Sequence, residues 1–262
     1  MQAVTGVFLS QTEAEQAVRK LQSIQLPADR VTLLTPGEKS SKKLKSVPVD
    51  TTEQPGMGAA IGTVVGGATG LSAGLVVAVL PGVGVVAALG VLGAALLTAA
   101  GASLGAVVGG STENFMSKGL PADEIFVFED ALRKGRSVVI ALAEDKDEAT
   151  AIRQLLEAAG AEAVDAAREQ WWIGLRHAEQ EHYVKFSRNF SDDEKFYRLG
   201  FEAALHARSR CKEFDQVSAE MASSLEAVQR QFPEAEVEEP YTRGYERGRE
   251  YYQRLCDESK AA

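Results

Sequence analysis

Residues 3–9 (AVTGVFL) form a short apolar run of strand type, and the pattern changes at Ser10. Ser10 and Glu13 have the spacing of a capping box, in which each side chain satisfies a backbone N–H that a first helical turn leaves without a partner. Ala14, Ala17, Val18, Leu21 and Ile24 then recur at helical spacing until Pro27, and residues 30–35 (RVTLLT) return to a strand-like run. Strand, helix and strand within about 35 residues is the usual size of a βαβ unit. Residues 1–35 are read as half of a domain, because two strands alone cannot bury a sheet face.

The complementary half comes much later. Pro121 stands at a first helical position with Asp123 and Glu124 in the first turn, and Lys134 with Gly135 closes that helix. Residues 137–142 (SVVIAL) read as a buried strand. Residues 145–159 read as an amphipathic helix through Ala149, Ile152, Leu155 and Leu156, with Gly160 as its cap and 161–166 as a last short strand. Residues 1–35 and 111–167 together give the βαββαβ order of an α+β, ferredoxin-like domain split between its halves. Residues 36–55 (PGEKSSKKLKSVPVDTTEQP) have no periodicity and are read as a basic linker.

Residues 54–112 carry no charged side chain, and glycine recurs every fourth position at Gly58, Gly62, Gly66, Gly70 and Gly74. After Pro81-Gly82, a second small-residue face runs through Gly93, Gly101, Gly105 and Gly109. As helices, 56–80 and 83–110 would be about 37 Å and about 42 Å long. Each exceeds the roughly 30 Å of a hydrocarbon core and would cross it with some tilt. Fifteen of the 24 glycines lie between 56 and 110. A soluble helix loses about 1 kcal/mol for each relative to alanine, a cost that close backbone approach in lipid would offset. Residues 56–110 are therefore expected to form a glycine-zipper transmembrane helical hairpin that self-associates. Burial of the same helices within a soluble assembly is the alternative. Lys39, Lys42, Lys43 and Lys45, with the uncharged loop, place both termini on the cytoplasmic side of the inner membrane.

Residues 168–262 turn charged and aromatic at helical spacing, and they contain a two-copy repeat. Tyr197-Arg198-Leu199-Gly200-Phe201-Glu202 recurs as Tyr241-Thr242-Arg243-Gly244-Tyr245-Glu246. Two copies are too few for a solenoid, so the repeat predicts an α-helical module in which two related helices cross closely at their glycines with the aromatics packed beside them.

The net charge of −9 disfavours sequence-independent nucleic-acid binding, leaving membrane lipid, a second copy and a cytoplasmic protein as the expected partners. The opening MQAVTGVFLSQTEAEQ lacks the basic and apolar regions of a secretory leader. Cys211 and Cys256 have neither CxxC nor zinc-ligand spacing, so they are read as ordinary reduced residues.

The sequence offers three candidate chemistries. Gly56-x-Gly58-x-x-x-Gly62 resembles a dinucleotide fingerprint, but no strand precedes it and no acidic residue follows at ribose distance. Glu179-x-x-His182 is the pair used by di-iron helical bundles, which makes Glu179 and His182 metal candidates. Glu202 and His206 are spaced four apart, so the second pair such a site needs is missing. All three histidines lie after residue 167 and no Gly-x-Ser-x-Gly elbow occurs, so no catalytic residue and no cofactor is assigned.

The order of these features resembles the general stress protein 17M-like family. The resemblance rests on Val4-Thr5-Gly6-Val7-Phe8-Leu9, Thr12-Glu13-Ala14-Glu15-Gln16-Ala17, the glycine-rich interruption, and Gly119-Leu120-Pro121 through Lys134-Gly135-Arg136-Ser137-Val138-Val139. It covers roughly residues 1–167 and implies a stress-associated, non-enzymatic α/β protein with no catalytic residues to transfer. The expected function is that of a membrane-anchored structural or interaction protein. An oligomeric pore formed by the glycine-zipper helices, and a soluble di-iron-like metal protein, are the rival readings.

Overall fold

A computed structural model of the chain describes residues 1–37, 75–80, 82–90, 93, 96–97, 122–186, 189–206, 209–210 and 214–261. They fall into two compact units: described residues up to 97 together with 128–163, and 122–127 together with 164–261.

The first unit is built on a six-stranded antiparallel sheet. Its strands are β1 (Gln2–Phe8), β2 (Val31–Pro36), β3 (Leu75–Leu80), β4 (Gly84–Leu89), β5 (Ser137–Ala143) and β6 (Glu162–Ala163), in the order β3-β4-β2-β5-β1-β6. Helix α1 (Gln11–Ser23) joins β1 to β2, α2 (Ile125–Arg133) precedes β5, and α3 (Lys146–Ala158) joins β5 to β6. The capping box forms at α1: Ser10 Oγ accepts from the Glu13 N–H at 3.3 Å, and the Glu13 carboxylate accepts from the Ser10 N–H at 3.1 Å. Asp145 caps α3 by accepting from the Glu148 N–H at 2.8 Å. Gly135 and Gly160 leave α2 and α3 at φ of 79° and 93°, a region where a Cβ is strained.

Val4, Phe8, Val31, Leu33, Val139 and Ala141 line one sheet face and pack beneath Ala14, Val18 and Leu21 of α1 and Ile152 and Leu156 of α3. On the other face Val7, Leu34, Val138, Ile140 and Leu142 are also withdrawn from solvent. Every residue of β5 is buried, which accounts for its unbroken apolar run at the centre of the sheet. Arg30, just before β2, donates to Glu148 of α3 at 2.9 and 3.1 Å, and Arg136 pairs with Glu162, tying the entry of β5 to β6.

The stretch 75–89 corrects the expected pair of membrane-crossing helices: it is a β-hairpin. β3 and β4 pair from Leu75↔Leu89 to Leu80↔Gly84, and β4 lies along the edge of β2 with Leu33↔Leu89 and Pro36↔Val86 in register. The physical reasons are local sequence and a tertiary edge. Val77, Val79, Val85 and Val86 are β-branched, Gly82 and Gly84 at φ of 67° and 98° supply the reversal after Pro81, and β2 offers unpaired backbone groups. Among the described residues no helix is long and apolar enough to cross a membrane. Gly58, Gly62, Gly66, Gly70, Gly74, Gly101, Gly105 and Gly109 lie outside the described residues, as does the linker from 38 to 55. Gly93 is described. A Cβ there would stand 2.7 Å from Ala88 Cβ, so this glycine makes room for β4. The strand expected over 161–166 shrinks to Glu162–Ala163, because Val164 already begins a helix.

The second unit is helical: α4 (Val164–Tyr183), α5 (Phe190–Leu205), α6 (Phe214–Gln231) and α7 (Glu238–Ala261). Its most extensive helix–helix contact among the described residues joins α5 to α7, the helices that carry the two repeat copies.

Candidate functional site

The repeat glycines make the α5–α7 crossing. A Cβ on Gly200 would run into the Tyr241 carbonyl oxygen and lie 2.8 Å from its carbonyl carbon. One on Gly244 would do the same to Tyr197, 2.7 Å from that carbonyl carbon. Gly248 faces Phe201 in the same way, with Ala204 Cβ 2.9 Å away. Backbone therefore meets backbone along this seam, and Tyr197, Phe201, Tyr241 and Tyr245 are buried beside it. Trp171 and Trp172 of α4 pack edge-on to Phe201, each with ring centroids 5.9 Å from it, and Tyr183 meets Tyr197 at 5.0 Å.

Polar groups thread this aromatic core. Glu179 of α4 is only 2% exposed; its carboxylate accepts from the Tyr197 hydroxyl at 2.8 Å and from Arg247 at 2.9 and 3.3 Å. Burial, and then the charge of Glu179, push the Tyr197 phenol far above its ordinary range. Burial opposes the charge on Arg247, yet the bond to Glu179 leaves it raised overall. His182, one turn along α4, is lowered by burial and then by the Arg247 guanidinium. Glu194 of α5 accepts from two α4 donors, Trp172 Nε1 at 2.9 Å and Arg176 at 2.7 Å twice over, and the Arg176 bond holds its carboxyl below the ordinary range despite burial. Tyr183 donates to Asp193 at 2.7 Å.

These placements give the metal candidates their partners. Both carboxylate oxygens of Glu179 accept from Arg247, with Tyr197 added, so the group is a hydrogen-bond acceptor inside an ion pair. Glu202 accepts from Arg198 at 2.7 Å, while His206 lies 3.6 Å from Asp123. Among the described residues no group of three or more His, Cys, Asp or Glu side chains could hold a metal ion. An open groove of about 680 Å³ between the end of α6 and the start of α7, lined by Gln229, Val237, Glu239, Thr242, Arg243 and Glu246, has Arg243 and Glu239 already paired at 2.6 Å. The carboxylates of Glu179, Asp193 and Glu194 thus meet guanidinium, phenol or indole donors.

The other feature with functional content is the β3–β4 hairpin. Residues opposite one another in an antiparallel pair share a face, so Leu89 lies with Leu33 on the side that carries α1 and α3, followed outward by Ala87, Val85, Val77 and Val79. Leu89 packs against the core beneath the helices. Beyond it Val77, Val79 and Val85 are 41%, 52% and 41% exposed, while Ala78, Leu80, Val86 and Ala88 on the opposite face are buried. The hairpin therefore extends the sheet past its two helices as an apolar, uncharged shelf. Sequence reasoning missed this surface, although β-branched LVVAVL and VVAAL flanking Pro81-Gly82 carried its signal.

Comparison of the chain with family models, with curated proteins and with solved structures finds no match.

Proposed function

We propose that the protein is a non-enzymatic structural and interaction protein that self-associates through its uncharged stretch and is anchored by it to a membrane, facing the cytoplasm. The observation that carries this reading is the valine-faced shelf, a surface with three exposed β-branched side chains in a stretch that contains no charge from 54 to 112. Apolar surface of this kind, continuous with an uncharged stretch, favours a macromolecular or lipid partner over a small polar substrate. The helical unit supports the same reading, because its glycine seam and donor-satisfied carboxylates favour a fixed shape for presentation to a protein partner. In this proposal the strands β6-β1-β5-β2 with α1 and α3 are the ferredoxin-like half-and-half sandwich, and the hairpin is an addition at its β2 edge. Association with stress, taken from the resemblance to the general stress protein 17M-like family, belongs to the proposal as well.

Lys39, Lys42, Lys43 and Lys45 before an uncharged stretch of this length are what favour a membrane location. The test is to express the full chain in bacteria, wash membranes with alkaline carbonate, and cross-link what remains. Retention with cross-linked multimers is the expected result. A monomer released into the supernatant would refute the reading.

A further inference from the structure

We infer that the outer edge of β3 seats a second copy of the chain, the two β3 strands pairing antiparallel about a two-fold axis centred on Ala78. This rests on the self-association proposed above and names the surface responsible.

The two ends of the sheet differ in kind. β6 closes one end with a strand of two residues, too short to template another chain, whereas β3 closes the other with six residues and contains neither proline nor charge. Among the described residues β3 pairs with β4 alone, so half of its backbone N–H and C=O groups are directed away from the sheet. Addition of a strand satisfies such groups directly.

The occupant follows from the sequence of the edge. A two-fold contact sets a strand against itself, so any charge on it meets its own like, an arrangement that is destabilising in directly opposed pairs. β3 and its surroundings from 54 to 112 carry no such charge. Centring the pair on Ala78 sets Val77 opposite the partner's Val79, and the reverse, on the exposed face, with the small Ala78 against its own copy on the buried one. Pairs of β-branched residues are favourable across antiparallel strands. A slip by one residue would move the valines to the wrong face, so the exposed-and-buried alternation also fixes the register. The paired sheet would run continuously through both copies, with the shelves formed by Val77, Val79 and Val85 adjoining across the axis.

The experiment uses the full chain in mild detergent. Light scattering should give twice the mass of one chain, and Val79→Lys, at an exposed site where lysine is tolerated in the isolated fold, should raise the dissociation constant at least about tenfold. Register is read separately, in chains also carrying Cys211→Ser and Cys256→Ser. Oxidising a mixture of Val77→Cys and Val79→Cys chains should give more cross-linked dimer than either alone, because those positions face one another. A wild-type chain that stays monomeric, or vesicle binding through the same valines by a monomer, would overturn the inference. A multimer indifferent to Val79→Lys and without the mixed cross-link would also overturn it, while leaving self-association through another part of the stretch standing.

Discussion

Replacing Gly244 by alanine adds one methyl group, and its neighbours decide the sign of the effect. On an open helix surface the change gains up to about 1 kcal/mol through helix propensity. At Gly244 the new carbon would meet the Tyr197 carbonyl oxygen and lie 2.7 Å from the carbonyl carbon, which is backbone and cannot swing aside. Restoring ordinary contact requires α5 and α7 to part by roughly 1 Å, and a gap of that size forfeits about a quarter to a half of each dispersion contact across the seam. Overpacking of this kind costs about 3 kcal/mol or more, so the net loss is about 2 kcal/mol after the propensity gain. Gly174 on α4 is the control, because a Cβ there meets nothing within 4 Å. The chain's two tryptophans, Trp171 and Trp172, are both on α4, so tryptophan fluorescence during unfolding follows the helical unit. Gly244→Ala should lower its melting temperature by about 8–16 °C, while Gly174→Ala should leave it unchanged or raise it. Equal behaviour of the two variants, or a Gly244→Ala protein within about 0.5 kcal/mol of wild type, would refute the backbone-to-backbone seam.

Arg247→Met should destabilise the helical unit by about 3 kcal/mol because it leaves the Glu179 charge buried; pairing it with Glu179→Leu should recover part of that loss in urea melts. Glu194 has a folded pKa below the ordinary value of 4.5, so the stability it contributes is present above the unfolded value and lost as pH falls through the folded one. The urea midpoint should therefore drop as pH decreases below about 5, and Glu194→Gln should flatten that drop. His182 is likewise lowered from 6.5, so the unfolded chain takes up its proton first as pH falls. Its contribution should be present above that pH and decline below it, and His182→Gln should remove this component from the same titration.

Local signals made much of this fold readable. Ser10 with Glu13, Asp145 before α3, and Gly135 and Gly160 after their helices are short-range devices, and each sits where its spacing placed it. The repeat glycines were readable for a related reason: an aromatic–glycine pattern occurring twice at helical spacing implies two matching faces. The hairpin was misread because a continuous apolar run does not distinguish a buried helix from strands, and the length of the uncharged stretch outweighed its β-branched valines. What made 75–89 a hairpin was the available edge of β2, a tertiary fact. The Glu179 cluster was legible only in part. The Glu-x-x-His spacing marked α4, but Arg247, which pairs with Glu179, lies 68 residues further along, beyond the reach of any local spacing.

The strand order also bears on how the molecule is made. β1 has two neighbours in the sheet, β5 and β6, and both are encoded after residue 136. At synthesis rates of about 5–20 residues per second, the stretch from Phe8 to Ser137 takes on the order of 10 s to emerge. Throughout that interval the first strand has neither of its sheet neighbours, while the chain's uncharged stretch leaves the ribosome behind it. Its most exposed moment is therefore before completion, and a nascent-chain holdase would protect it more than added stability in the finished protein would.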